Sequence, residues 1–324
     1  MLELEKQFAK RILKDEMMKN HTTFKIGGPA KYFLEINSGE ELIEVIKLIN
    51  KDGLNYIIIG NGSNLLVSDA GFDGVVIRIL DIECQISSDN KLKVGAGLKL
   101  GVLSQFAFNQ GLTGLEWAIG VPGTVGGAIV MNAGCFGQEM KDSVVSVDIF
   151  SNNPEDGIKE LTNEQCGFKY RESIFKEHPE WIILGAELKL DNGEQKKIKN
   201  KMNEFLGLRN EKLPLDKPSA GSIFKKYKIF EGEKLNEKLE RILQKEHPEF
   251  LNGKYIPAGW LISEAGLGGK KIGGALVSEK HTNFIINTQN AKAEDVIILI
   301  ALIKEKIRNE FGIQLQEEVI YLGF

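Results

Sequence analysis

The residues best placed for chemistry in this 324-residue chain are glycines with small polar neighbours. Two stretches stand out, IIIGNGSNLL at 57–66 and GVPGTVGGA at 120–128. Glycine lets the backbone approach a ligand closely and adopt positive φ, leaving successive N–H groups to surround a phosphate. Ser63, Asn64 and Thr124 add small side-chain donors. Either loop can cradle a pyrophosphate, or its glycines can serve tight turns and close packing. Neither is a Rossmann fingerprint, because GNGSNL lacks the third glycine, and GxxxxGK[ST] is absent from the sequence. The residues themselves point to a nucleotide-like ligand and no further.

These loops need elements to carry them. Ser38 and Glu41 form a capping box ahead of Leu42, Val45, Ile46 and Ile49, which predicts a helix stopping at Gly53. YIIIG at 56–60 and VVIRI at 75–79 read as strands, so the first glycine loop leaves a strand end. KLKVGAGL predicts a strand and LGVLSQFAFNQG a helix, and the second loop follows. VVSVDIF (144–150) and WIILGAELKL (181–190) add strands. In the last third, EKLNEKLERILQKEH and KAEDVIILIALIKEKIRNEFG predict helices, and IQLQEEVIYLGF closes the chain as a strand. At the other end, Leu4, Phe8 and Ile12 recur as on one stripe of an amphipathic helix.

Composition excludes other classes. Forty-one basic against 45 acidic residues give a formal net charge of -4, so no global positive field holds nucleic acid or an anionic membrane. Three scattered cysteines fit a reducing compartment, and four scattered histidines make no metal site. With no export signal or membrane-length apolar run, the expected location is the cytoplasm.

A series of motifs then adds specificity. TTFKIGGPA (22–30), IIGNGSNLLVSD (58–69), GLEWAIGVPGTVGGAIVMNAG (114–134), YRESIFK (170–176), PSAGSIFK (218–225), AGWLISEAGL (258–267), GGALVSEKHTNFIIN (273–287) and LQEEV (315–319) occur in this order. The chain resembles the UDP-N-acetylenolpyruvoylglucosamine reductase family, the flavoenzymes of bacterial peptidoglycan precursor synthesis, over nearly its whole length after residue 20. The resemblance implies an α+β architecture: a two-subdomain FAD-binding domain of the vanillyl-alcohol oxidase type plus a C-terminal α+β substrate-binding domain. The expected boundaries are an N-terminal helical extension at 1–17, the FAD-binding domain at 18–192 with subdomains of about 18–80 and 81–192, and the substrate domain at 193–324.

The same resemblance implies FAD as cofactor, NADPH as reductant and a UDP-sugar bearing an enolpyruvyl ether as substrate, with no obligatory protein partner. Gly60, Asn61, Gly62, Ser63, Asn64, Gly123, Thr124, Gly126 and Gly127 match the FAD loops. Arg171 matches the arginine that holds the substrate carboxylate, Ser222 the proton donor, and Glu318 the acid that acts with the arginine. Strand alternation puts Glu317 on the apolar face with Leu315 and Val319, and Glu318 on the polar face with Gln314 and Gln316; a bulge would exchange them. Lys212 resembles a family position near the substrate pyrophosphate, Lys225 and Lys226 beside Ser222 can supply local positive charge to it, and His281 is expected to be structural. The pattern departs from the family at Lys226, where many relatives carry asparagine, and at Phe136, where MNAGAYG-type sequences carry tyrosine. Subclass features are mixed, since the tyrosine-bearing loop is absent between YRES and PSAGS while 227–257 forms a helical insertion. Two rival readings remain: a flavin oxidase of the same fold acting on another substrate, and a non-catalytic UDP-sugar sensor.

Overall fold

The computed structural model describes residues 2–153 and 157–324. They form two compact units, one of Met1–Glu16, Pro29–Gly62 and Phe72–Glu211, the other of Met17–Gly28, Ser63–Gly71 and Lys212–Phe324. Each has its own apolar core.

The first unit is built mainly on a four-stranded and a five-stranded sheet. In the smaller, strands run in the order Leu13–Met17, Pro29–Ile36, Phe72–Ile79, Tyr56–Ile59, with the last three mutually parallel. Parallel strands need a crossover, and helix Gly39–Lys51 provides it. The Ser38 hydroxyl accepts the Glu41 N–H at 3.3 Å, and Leu42, Val45, Ile46 and Ile49 are buried, as their spacing dictates. The larger sheet is antiparallel, in the order Gly157–Thr162, Val144–Ser151, Trp181–Lys189, Lys91–Gly95, Cys84–Ser88. Short helix Val125–Val130 buries Val125, Ala128 and Ile129 in the same core.

In the second unit, strands Ser219–Ser222, Phe284–Asn287, Ala275–Val277 and Lys271–Ile272 form an antiparallel sheet in that order. Helix Ala293–Phe311 buries Val296, Leu299, Ile300, Ile303 and Ile307, an i, i+3, i+4, i+7, i+11 stripe, and stops at Gly312 with φ 74°. Burial of each such side chain contributes about 1.5–3 kcal/mol.

The units cut across the expected boundaries. The N-terminal segment is helical only at Glu3–Gln7 and then becomes strand Leu13–Met17, so residues 1–17 are not a helical extension. Leu4, Phe8 and Ile12 are nevertheless all buried in the first core. Helix Gln195–Lys212 also belongs to the first unit, because Phe205 packs in that core. Segment 63–71 joins the second unit because Leu65–Val67 pairs in parallel with Ile320–Leu322. Asp69 reinforces this by accepting the Ala293 and Glu294 N–H groups at 3.0 and 3.2 Å, where a carboxylate also complements the helix dipole. The closing strand is shorter than predicted, Ile320–Leu322 only, since the preceding residues track the Ser222 segment through the single bridge Phe224–Glu317.

Candidate active site

Within the first unit the two glycine loops meet. The Asn61 side-chain amide donates to the Pro122 carbonyl at 2.6 Å, and a Cβ at Gly60 would overlap the Thr124 hydroxyl. Thr124 caps helix Val125–Val130, its hydroxyl accepting from Gly127 N at 3.5 Å. The glycines have different duties. At Gly126 a Cβ would press on Ala96 at 3.0 Å, and at Gly120 (φ 75°) on Leu206 at 3.0 Å, so the protein's own packing demands bare backbone there. At Gly127 a Cβ would meet only the Thr124 hydroxyl, at an ordinary 3.6 Å. Among the described residues, the N–H groups of Asn61 and Gly62 donate to no protein acceptor, and Gly62 has φ 60°. A loop with unspent amides and a neighbouring bare glycine fits a pyrophosphate.

Glu116, the carboxylate near the start of the second glycine-rich stretch, is 2% exposed. Burial pushes its pKa up, but hydrogen bonds from Thr113 and Gly114 and the charge of Lys201, 3.7 Å away, outweigh this and hold it below the usual range. It is a structural anion that fixes the approach to the loop.

Arg171 stands on the same unit, half-buried, with a left-handed backbone at φ 57°. That turn is held from outside: Lys176 Nζ donates to the Arg171 carbonyl at 2.6 Å and Ser173 Oγ to the Val130 carbonyl at 2.7 Å. Fully buried Asn132 ties the neighbouring chain, donating to Lys169 O at 3.0 Å and Glu139 Oε2 at 2.9 Å while accepting from Lys141 N at 3.0 Å. The Arg171 guanidinium donates to Gly134 O at 3.1 Å and lies 5.6 Å from the centre of the Tyr170 ring. Beside it is Cys135, whose thiol burial pushes up while Arg209 and Arg171 pull it down. Phe136, at the family's tyrosine position, stacks on Phe205 with ring centres 4.3 Å apart.

Ser222 and Glu318 lie together in the second unit. Ser222 pairs with Phe284 just after an irregularity in the ladder, where Gly221 takes φ 79°. A bulge of this kind re-aims the following side chain. The Glu318 N–H donates to Ile223 O at 2.7 Å, and the Asn64 side chain donates to Glu318 O at 3.0 Å. Asn64 O in turn accepts Ile320 N at 2.9 Å, so both the backbone and the side chain of Asn64 are committed to the segment 318–320. Glu317 pairs with Lys304 of helix Ala293–Phe311 at 2.8 Å. Alternation is kept through Ile313, Leu315 and Val319, all buried, with Gln314 and Gln316 exposed. Helix Ala293–Phe311 therefore holds Glu317, while Glu318, half-buried as well, is placed by its backbone bonds to Ile223 and Asn64.

Lys212, the last residue of its helix, and Lys226 are exposed. His281 is half-buried, edge-on to Phe284 at 4.9 Å, and burial lowers its pKa. Sequence reading passed over Arg209, in a helix whose charged residues look like a solvated face. Its guanidinium packs at Gly120 and beside Cys135, and the only advance signal was its place on the Met202, Phe205, Leu206 side of that helix.

Residues 30–155 match the FAD binding domain model and residues 213–322 the model of the UDP-N-acetylenolpyruvoylglucosamine reductase C-terminal domain. The chain is 42% identical to the UDP-N-acetylenolpyruvoylglucosamine reductase of Caldanaerobacter subterraneus subsp. tengcongensis, covering 97% of this chain and 96% of that one. It is also 42% identical to that of Carboxydothermus hydrogenoformans, covering 99% and 97% respectively. Among solved structures, the Thermus caldophilus enzyme of the same name superposes with a TM-score of 0.74 at 32% identity, covering 96% of this chain and 99% of that one. The chain belongs to the UDP-N-acetylenolpyruvoylglucosamine reductase family and is an FAD-binding oxidoreductase.

Proposed function

We propose that this protein reduces the enolpyruvyl ether of UDP-N-acetyl-3-O-(1-carboxyvinyl)glucosamine to UDP-N-acetylmuramate, a step of peptidoglycan precursor synthesis in the cytoplasm, with NADPH as reductant. The observation that carries this reading is the near full-length identity to reductases of that name, together with the backbone hydrogen bond from Glu318 N to the carbonyl of Ile223, the residue that follows Ser222. FAD held by the glycine loops would supply hydride chemistry, with NADPH as the source of the electrons and the substrate's β-carbon as the acceptor.

Hydride addition there leaves negative charge at the α-carbon, delocalised into the adjacent carboxylate. Arg171 holds that carboxylate with a planar, permanently charged fork. Glu318, whose acid form can donate a hydrogen bond, acts with Arg171 on the same enolate. Ser222 donates the proton that completes reduction at the α-carbon. A hydroxyl is a weak acid at neutral pH, so it serves only a strongly basic carbanion at hydrogen-bond distance. Lys212 and Lys226 supply charge to the substrate pyrophosphate. Gly60, Asn61, Gly62, Ser63, Gly123, Thr124, Gly126 and Gly127 are the residues that would hold the FAD pyrophosphate, Asn61, Gly62 and Gly127 with free amides or open backbone and Gly60 and Gly126 by letting the loops pack closely, while Asn64 fixes the end of its loop.

The glycines give a separable prediction. Gly60→Ala forces a methyl into Thr124, and overpacking of this kind costs about 1–3 kcal/mol. Its thermal midpoint is expected to fall. Gly127→Ala meets nothing tighter than 3.6 Å, so the apoprotein's midpoint is expected to hold while FAD retention, measured by fluorescence titration, weakens.

The test of the reading is whether the purified protein is yellow and consumes NADPH beyond the amount that reduces its flavin only when the enolpyruvyl UDP-sugar is present, with UDP-N-acetylmuramate appearing by mass spectrometry in step with that turnover. NADPH oxidation driven by oxygen alone favours a flavin oxidase. A colourless protein that refuses FAD but binds the UDP-sugar favours a sensor.

A further inference from the structure

At Ser222 the antiparallel ladder breaks. The register slips between Ser219 and Ser222, and beyond Ser222 the chain leaves the strand Phe284–Asn287 that paired with it. A segment departing from a sheet loses its hydrogen-bond partners unless something replaces them. Here the replacement comes from Asn283, which is 7% exposed. Its Oδ1 accepts the Phe224 N–H at 3.0 Å, its Nδ2 donates to the Phe224 carbonyl at 2.9 Å, and its own carbonyl accepts Ile223 N at 2.8 Å.

A side-chain amide offers one acceptor and one donor edge, the same pattern as a peptide group. Asn283 therefore stands in for a strand residue and fixes both backbone groups of Phe224. The other edge of this segment carries the Glu318 region: Glu318 N donates to Ile223 O at 2.7 Å, Phe224 bridges Glu317, and Lys225 N donates to Gln316 O at 2.9 Å. Residues 223–225 are thus a short rib between the Asn283 clamp and the segment bearing Glu318. Ser222 is attached to its beginning.

We propose that Asn283 is a positioning residue, setting the Ser222 hydroxyl and the Glu318 carboxyl in one frame through the backbone of Ile223 and Phe224. The proposal rests on the roles given above to Ser222 and Glu318. The hydrogen bonds of Asn283 go to the backbone of Ile223 and Phe224.

The test uses FAD-loaded enzyme, with Asn283→Ala, Asn283→Asp and Ser222→Ala measured side by side for both half-reactions. Asn283→Ala is expected to keep its flavin spectrum and its rate of reduction by NADPH within about twofold of the parent. Reoxidation at saturating enolpyruvyl substrate should fall about tenfold to a hundredfold, the cost of a small misplacement of a reacting group. KM should change little, and the solvent deuterium isotope effect on reoxidation should rise, because proton delivery becomes slower. Independently of activity, the Phe224 and Glu318 amides should lose protection from hydrogen exchange.

Asn283→Asp separates positioning from general stability and serves also if the alanine variant does not fold. A protonated aspartic acid restores one donor and one acceptor in the amide's shape, whereas the carboxylate offers only acceptors. Reoxidation by Asn283→Asp should recover as pH falls, measured well below its melting temperature, with a pH dependence the parent lacks. Parallel loss of both half-reactions in the asparagine variants, or parent-like reoxidation in them, overturns the proposal when Ser222→Ala is selectively slow in reoxidation. If Ser222→Ala is itself not selective, the role of Ser222 fails instead.

Discussion

Ser222→Ala is expected to leave reduction of the bound flavin by NADPH within about twofold of the parent and to slow its reoxidation by the enolpyruvyl substrate about a hundredfold to ten-thousandfold, the usual contribution of a positioned general acid. The two half-reactions separate because the serine's proton is needed only after hydride has reached the substrate. Nothing in the fold depends on the hydroxyl. The backbone turn is set by Gly221 at φ 79° and by the pairing of Ser222 with Phe284, both of which alanine preserves. Rapid mixing under anaerobic conditions reads each step from flavin absorbance. Equal loss of both steps would contradict the assigned role.

The second large effect is expected at Arg171. Arg171→Met keeps the length of the stem and removes the charge, so reoxidation should fall about a hundredfold to a thousandfold, as when a donor to a developing anion is lost. KM for the substrate should rise as well, since the ground-state carboxylate loses the same partner. The turn should survive: the Lys176 ammonium holds the Arg171 carbonyl and Ser173 holds Val130 whatever side chain stands at 171. Arg171→Lys is the informative companion. It restores charge without the two-pronged geometry, and partial recovery would separate electrostatics from bidentate fit. Flavin reduction by NADPH unchanged in all three proteins is part of the expectation.

Much of the first unit was legible because its signals are local. The capping box at Ser38, the apolar spacing of 42–49 and the β-branched runs at 56–59 and 75–79 each specify an element without reference to distant chain. The glycine loops were legible as unusual, but their purposes were not. Whether a missing side chain makes room for a ligand or for a neighbour depends on what lies opposite, and Ala96 opposite Gly126 or Thr124 opposite Gly60 is set by tertiary approach. The same limit explains the unit boundaries. No local pattern says that Leu65–Val67 will pair with Ile320–Leu322, so the chain's passage into the second unit at 63–71 was invisible.

Single polar residues were the hardest. Arg171, Ser222 and Glu318 looked like ordinary loop and strand residues, and only the ordered motifs singled them out. Asn283 carried even less signal, since an amide acting as a substitute peptide group is recognisable only once the broken ladder beside it is known. Alternation offered a separation of Glu317 from Glu318, and burial of Ile313, Leu315 and Val319 follows that period, but Glu317 and Glu318 are both half-buried and the N–H groups of Glu318 and Val319 share the Ile223 carbonyl, so the period is not regular there. Glu317 pairs with Lys304.

The most direct measurement of the central claim is a single turnover: FAD-loaded protein reduced with one equivalent of NADPH without oxygen, then mixed with one equivalent of the enolpyruvyl UDP-sugar. The expected result is return of oxidised flavin absorbance at the same rate as UDP-N-acetylmuramate appears, one product per flavin. Flavin that stays reduced until oxygen is admitted, or reoxidises without that product, would contradict it.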